Sequence, residues 1–267
     1  MGNGRGRGLL VGLLAGVLCS AAGAAHAADG RFYIGASGTA EQFDASYDKS
    51  VINTPPSLRS GDVFHDGDSA DDWDIGLGLL LGYRLPLGAD GSFFLSAELD
   101  AKLHDVTTRG RLEGVGDSAT RNQLGESWPD DWSLEKERSY GLTVKLGADP
   151  VFLRPFLGET SLYLLAGLRL VDTKFEIEYD GCFRVAPLCV PAEFEAGSLS
   201  RSQDFVAWTG GVGLEKRFGE HLALQGEVRY TGYADEDWLS FDLDGIQVPA
   251  ELDGDDLDLS LNLILFF

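Results

Sequence analysis

The sequence predicts an all-β fold: an eight-stranded antiparallel up-and-down transmembrane β-barrel with four long outer loops and three short periplasmic turns. Three observations predict it. Eight segments alternate apolar and polar residues with the two-residue period of a strand. Their apolar parity carries aromatic residues near its ends, as a lipid-facing band between two interfaces requires. The connections alternate between long and short, an order that a soluble sandwich has no reason to adopt.

The segments run as follows. Residues 31–43 set Phe32, Ile34 and Ala36 against Tyr33, Gly35, Ser37 and Thr39. Residues 73–84 are clearest: Trp73, Ile75, Leu77, Leu79, Leu81 and Tyr83 share one face, with Asp74, three glycines and Arg84 mostly on the other. Residues 93–104 alternate Phe93, Leu95, Ala97, Leu99, Ala101 and Leu103 with Ser96, Glu98, Asp100, Lys102 and His104. Residues 140–147 give Tyr140, Leu142, Val144 and Leu146 against Gly141, Thr143 and Lys145. In 162–179 the parity of Leu162, Leu164, Ala166, Leu168 and Leu170 passes to Phe175, Ile177 and Tyr179, so a bulge or the membrane exit is expected near Asp172. Residues 205–218, 222–233 and 257–267 complete the set, the last ending Leu257, Leu259, Leu261, Leu263, Leu265, Phe267. Connections 44–72, 105–139, 180–204 and 234–256 are long; 85–92, 148–161 and 219–221 are shorter.

Hydrocarbon offers no water to satisfy backbone amides, so a spanning sheet must close on itself. Eight strands leave a lumen that side chains fill. The inward parity holds charges of both signs: Glu98, Asp100, Lys102, Lys145, Arg169, Glu215, Arg217, Glu227 and Arg229. They are expected to pair as a packed ionic core; a narrow conduction path is the alternative.

Residues 1–27 read as a secretory signal peptide: Arg5 and Arg7, an apolar run from Leu9 to Leu18, then Ala25-His26-Ala27. The run is too short to span a bilayer. Leu18 before Cys19 argues against a lipoprotein. Residues 28–267 then form the barrel domain. Losing two arginines and no acid moves the formal charge from −22 to −24. Such acidity argues against nucleic acid and anionic lipid as partners and suits divalent cations, or a surface bathed in them. Cys182 and Cys189, in an oxidising compartment, are candidates for a local disulfide, with two free thiols as the alternative.

The stretch 210–218, Gly-Gly-Val-Gly-Leu-Glu-Lys-Arg-Phe, and the stretch 222–233 that follows resemble the penultimate hairpin of opacity-type, outer-membrane-protein-A-like eight-stranded barrels. Phe267, on an alternating terminal strand, resembles the signal by which the barrel assembly machinery recognises its clients. The resemblance implies a Gram-negative outer-membrane location, lipid and lipopolysaccharide as neighbours, and assembly by that machinery. Adhesins, structural proteins and small porins share the pattern. No peptidoglycan-binding domain is expected after the barrel.

Chemistry is sparse. Asp66, Asp68, Asp71 and Asp72 are weak calcium candidates, without the glutamate that closes an EF-hand loop. A second acidic cluster runs from Asp235 to Asp256. No cofactor is implied beyond divalent cations at the loops. His104, beside Asp105, is the one candidate for a hydrolase, but neighbours on a strand face opposite ways. Enzyme activity is therefore not expected; a structural or surface-contact role, through loops that meet an extracellular ligand, is. Trp128, Trp132 and Trp238 read as loop cores or interfacial belt, with a ligand patch as the alternative.

Overall fold

The computed structural model describes residues 30–56, 60–88, 92–112, 130–150, 158–182, 194–243 and 245–267. The signal segment, Trp128 and Cys189 lie outside them, and with Cys189 the pairing expected for Cys182. Nine strands are present among the described residues: β1 (Arg31–Asn53), β2 (Val63–Leu87), β3 (Phe93–Leu112), β4 (Asp130–Ala148), β5 (Thr160–Cys182), β6 (Phe194–Phe218), β7 (Leu222–Tyr233), β8 (Glu236–Leu243) and β9 (Ile246–Phe266).

Eight of them close a ring. Each of β1 to β6 pairs antiparallel with the next, β7 pairs with β9, and β9 pairs with β1. The short β8 is an addition, hydrogen-bonded to the outer part of β9. The expected ring is therefore present, and a stretch read as loop contributes one extra strand.

The lower part of the ring is inside out relative to a soluble protein. Ile75 is 78% exposed and Leu79 70%, with Leu103, Leu164, Val212, Leu259 and Leu261 likewise turned outward. This band belongs in lipid. Trp73 and Trp208 stand at its upper margin, where indole rings are at home. At the lower end the turn between β6 and β7 has only three residues, opened by Gly219 at φ 78, a backbone geometry that disfavours a side chain. A Cβ on Gly82 would lie 2.1 Å from the Tyr33 ring, so glycine there lets Tyr33 cross the floor of the lumen.

Above the band the strands continue where long loops were expected. The ring also divides. β2 pairs with β3 only from Leu77 and Leu103 downward, and β6 with β7 only from Ala207 downward. Above those points β8, β9, β1 and β2 form one four-stranded sheet and β3, β4, β5 and β6 another. Phe43, Tyr47 and Leu252 from the first face Trp132, Leu134, Phe175 and Phe205 from the second. The barrel thus becomes a sandwich with an apolar core once it leaves the membrane. The parity change in β5 marks this exit. Its register with β6 runs unbroken from Thr160 to Cys182, and the register shift lies instead in β4, between Lys136 and Arg138, opposite Asp172.

Candidate functional site

Each of the nine charged residues read onto the inward parity contacts an opposite charge, in groups at successive heights. At the bottom Arg84 meets Glu215 at 2.5 Å, and Arg217, only half-buried, reaches the same oxygen at 3.0 Å. In the middle Lys145 lies 2.6 Å from Glu98 and 2.8 Å from Glu227. Arg229 also bonds Glu227, and Tyr33 and Tyr163 donate to Glu98 and Glu227 at 3.0 and 2.7 Å. Higher still Arg169 contacts Asp100 at 2.6 Å, and Lys102 pairs with Asp258. Low dielectric makes such contacts costly to break, because each buried charge would lose its compensation. Apolar groups close the floor around Tyr33, Leu80, Ile264 and Phe266.

Five members escaped the sequence reading. Glu41, Arg84 and Asp258 share the inward parity of their strands and were legible there. Lys136 and Asp256 were not, because both fall in segments read as loop. Lys136 Nζ lies 2.8 Å from Glu41 and 2.7 Å from Asp256, whose carboxylate also accepts the Tyr233 hydroxyl at 2.6 Å.

Beside this group, where the ring divides, Glu41, Asp74 and His104 come together from β1, β2 and β3. His104 Nδ1 is 3.0 Å from Glu41 and 4.0 Å from Asp74, and Nε2 is 2.9 Å from Ser139 Oγ. Arg169 donates to the same Ser139 oxygen at 2.9 Å. His104 keeps the inward parity of Glu98, Asp100 and Lys102, while Asp105 beside it is exposed.

The four calcium candidates lie on β2 itself and belong to no converging group of ligands among the described residues. They act as caps instead. Asp68 accepts the Arg111 amide at 2.7 Å and the Trp132 indole at 2.9 Å. Asp71 accepts from Gln42 at 3.1 Å, and Asp72 from the Trp73 amide at 2.8 Å. Asp68 and Asp74 thus satisfy amides of β3 that have no strand partner on that side. Trp132 is in the outer core, not in a ligand patch, and Trp238 stacks on Tyr47 at its edge with ring centroids 6.3 Å apart.

Outside the barrel, just above Trp208 and Tyr230, a cavity of about 400 Å³ is lined by Asp44, Asp71, Asp235, Asp253 and Asp255. Asp44 sits directly opposite both Asp71 and Asp255 in the ladder. Burial, then the charges of Asp255 and Asp71, push its carboxyl above the ordinary range. Burial, then Asp235 and Asp48, do the same to Asp253. A carboxyl raised in the folded state favours folding at low pH and loses that contribution as pH rises past its ordinary value of about 4. Asp44→Asn should therefore raise the urea midpoint at pH 7, with the advantage shrinking as pH falls toward 4. An advantage independent of pH would contradict this origin.

Geometry of this kind defines a class: a plugged β-barrel that crosses a membrane and carries an ordered body above it. A family model for the outer membrane protein beta-barrel domain matches residues 11–260, and the chain belongs to that family. Its location is accordingly the outer membrane of a Gram-negative bacterium. Among solved structures, Ail of Yersinia pestis is 14% identical, with 84% of this chain and 98% of that one covered and a TM-score of 0.25. Neisserial surface protein A is 11% identical, with coverage of 86% and 97% and a TM-score of 0.28. A major outer membrane protein from Thermus thermophilus is 12% identical, with coverage of 85% and 99% and a TM-score of 0.37. Likenesses this low carry no residue roles across. No curated protein matches the chain.

Proposed function

We propose that this protein is a non-enzymatic surface-contact barrel, adhesin-like, whose two-sheet outer body meets an extracellular partner. The observation that carries the reading is a lumen filled with paired charges beneath an outer body with unpaired strand edges. The part of β6 from Phe194 to Phe205 pairs with β5 alone among the described residues, and the upper half of β2 with β1 alone. Such edges are templates for a further strand. The filled lumen counts against a solute channel. The contacts Ser139–His104–Glu41 have the order of a nucleophile, base and acid. Yet Ser139 is buried and Arg169 holds its oxygen, which leaves a carbonyl no approach and counts against a hydrolase.

The acidic rim at the height of Trp208 and Tyr230 lies where lipid headgroups begin, and divalent ions would bridge it to lipopolysaccharide phosphates. Phe267, exposed just past the end of β9, is the residue we assign to recognition by the assembly machinery.

Planar-bilayer recording and cell adhesion test the reading together. Purified protein should give no steady openings. Cells displaying it should bind host-cell layers or matrix better than cells lacking it. Addition of proline at alternate β6 edge positions above Val206 should lower that binding. Steady conductance without any gain in adhesion would overturn the proposal.

A further inference from the structure

We propose that Glu41, Asp74 and His104 bind one first-row divalent metal ion, zinc being the natural probe, at the base of the cleft between β2 and β3. The three side chains offer ligand atoms that all lie within 4.8 Å of one another. One imidazole nitrogen and two carboxylates make a donor set suited to such ions. Calcium, which prefers six to eight oxygens, is a poor match.

Two further observations point to a cation. The His104 side chain is 1% exposed, yet its Nδ1 makes no aligned hydrogen bond although it faces two carboxylates. Ser139 Oγ, at 2.9 Å, accounts for the other ring nitrogen. With the proton on Nε2, donated to Ser139, the Nδ1 lone pair points at negative charge, an arrangement that a cation converts from repulsion to ligation. An outer hydrogen bond of this type commonly orients a metal-bound histidine. The charges agree. Among the described residues one ammonium, Lys136, is paired within the group Glu41, Asp74 and Asp256, contacting Glu41 and Asp256 but not Asp74, while Lys102 and Arg169 nearby are paired with Asp258 and Asp100. A divalent ion would bring the group to neutrality.

Among the described residues no backbone ladder closes the cleft above the site. Pairing between β2 and β3 stops at Leu77 and Leu103, immediately below the cluster. Asp74 is held at the cleft by the amides of Asp105 at 3.0 Å and Ile75 at 2.5 Å. Bound metal would tie three strands together at the level where the ring divides.

The test uses full-length folded protein in detergent, stripped with a chelator. Zinc is titrated against a chromogenic competitor, and cobalt binding is followed by its visible absorption. One saturable equivalent is expected, with cobalt bands of a site containing nitrogen and oxygen donors. His104→Gln and Asp74→Asn should each weaken zinc binding by more than tenfold. Ser139→Ala, which leaves the ligands in place, should weaken it by ~10-fold. Absence of a saturable equivalent, or equal binding by His104→Gln, overturns the proposal. Should a variant fail to show heat-modifiable gel migration, the wild-type cobalt spectrum decides, since no bands means no site.

Discussion

Lys145→Met is expected to destabilise the folded barrel by about 3–5 kcal/mol, the cost of leaving buried charge without its partner. Lys145 is 1% exposed and touches Glu98 at 2.6 Å, Glu227 at 2.8 Å and the Gln225 side-chain oxygen at 3.1 Å. Its removal leaves two carboxylates sharing Arg229, which lies 3.4 Å from Glu98 and is already committed to Glu227. Methionine keeps most of the volume, so the loss reports charge and not a cavity. Urea unfolding in micelles, followed by tryptophan fluorescence and by heat-modifiable migration, measures it. The triple change Lys145→Met, Glu98→Gln, Glu227→Gln should recover a large part of the loss, because it removes the stranded charges as well. A single variant within about 1 kcal/mol of wild type would mean that water enters the lumen and screens the network, which would reopen the channel reading.

How much of this was legible in the sequence follows from what each solvent demands. In lipid the apolar residues must face out, and the parity of Ile75 to Leu81 or of Leu257 to Leu265 declares that directly. Above the membrane water lies outside and the same strand must bury its apolar face. Phe43 and Tyr47 on β1, Phe175 and Ile177 on β5, and Leu252 on β9 occupy the opposite parity from the lipid-facing residues below them. A pattern that reverses midway looks like the end of a strand, and the outer strand halves were accordingly read as loop, except in 162–179, where the reversal was read as a bulge or membrane exit. The lumen charges on lower strands were visible because parity alone places them. Lys136 and Asp256 were hidden by the loop assignment. The meeting of Glu41, Asp74 and His104 was hidden for another reason. It depends on the register between three strands, with Glu41 standing opposite Asp74 and Leu77 opposite Leu103, which no single strand's pattern encodes.

The reversal of parity carries a second large prediction, that the outer body and the membrane ring are separable in stability. Trp132→Ala should cost about 3–5 kcal/mol, the range for deleting a fully buried indole. Trp132 is 1% exposed, lies edge-on to Tyr47 with centroids 6.2 Å apart, and donates its indole N–H to Asp68. Its loss would open a void between the two sheets and leave the Asp68 carboxylate with the Arg111 amide alone. Below, the ring is held by other means: its backbone ladder closes through β1 and β9, and the Lys145 and Arg229 pairs lie near its middle. The damage should therefore stay local. Limited proteolysis of the variant in micelles should cut the outer halves of β1 and β2 much faster than in wild type. The heat-modifiable shift of the ring should persist at the same temperature. If instead the ring lost its shift together with the outer body, the two parts would form one cooperative unit. The sandwich would then be a condition of closing the barrel, and trimming it could not serve to test what it binds.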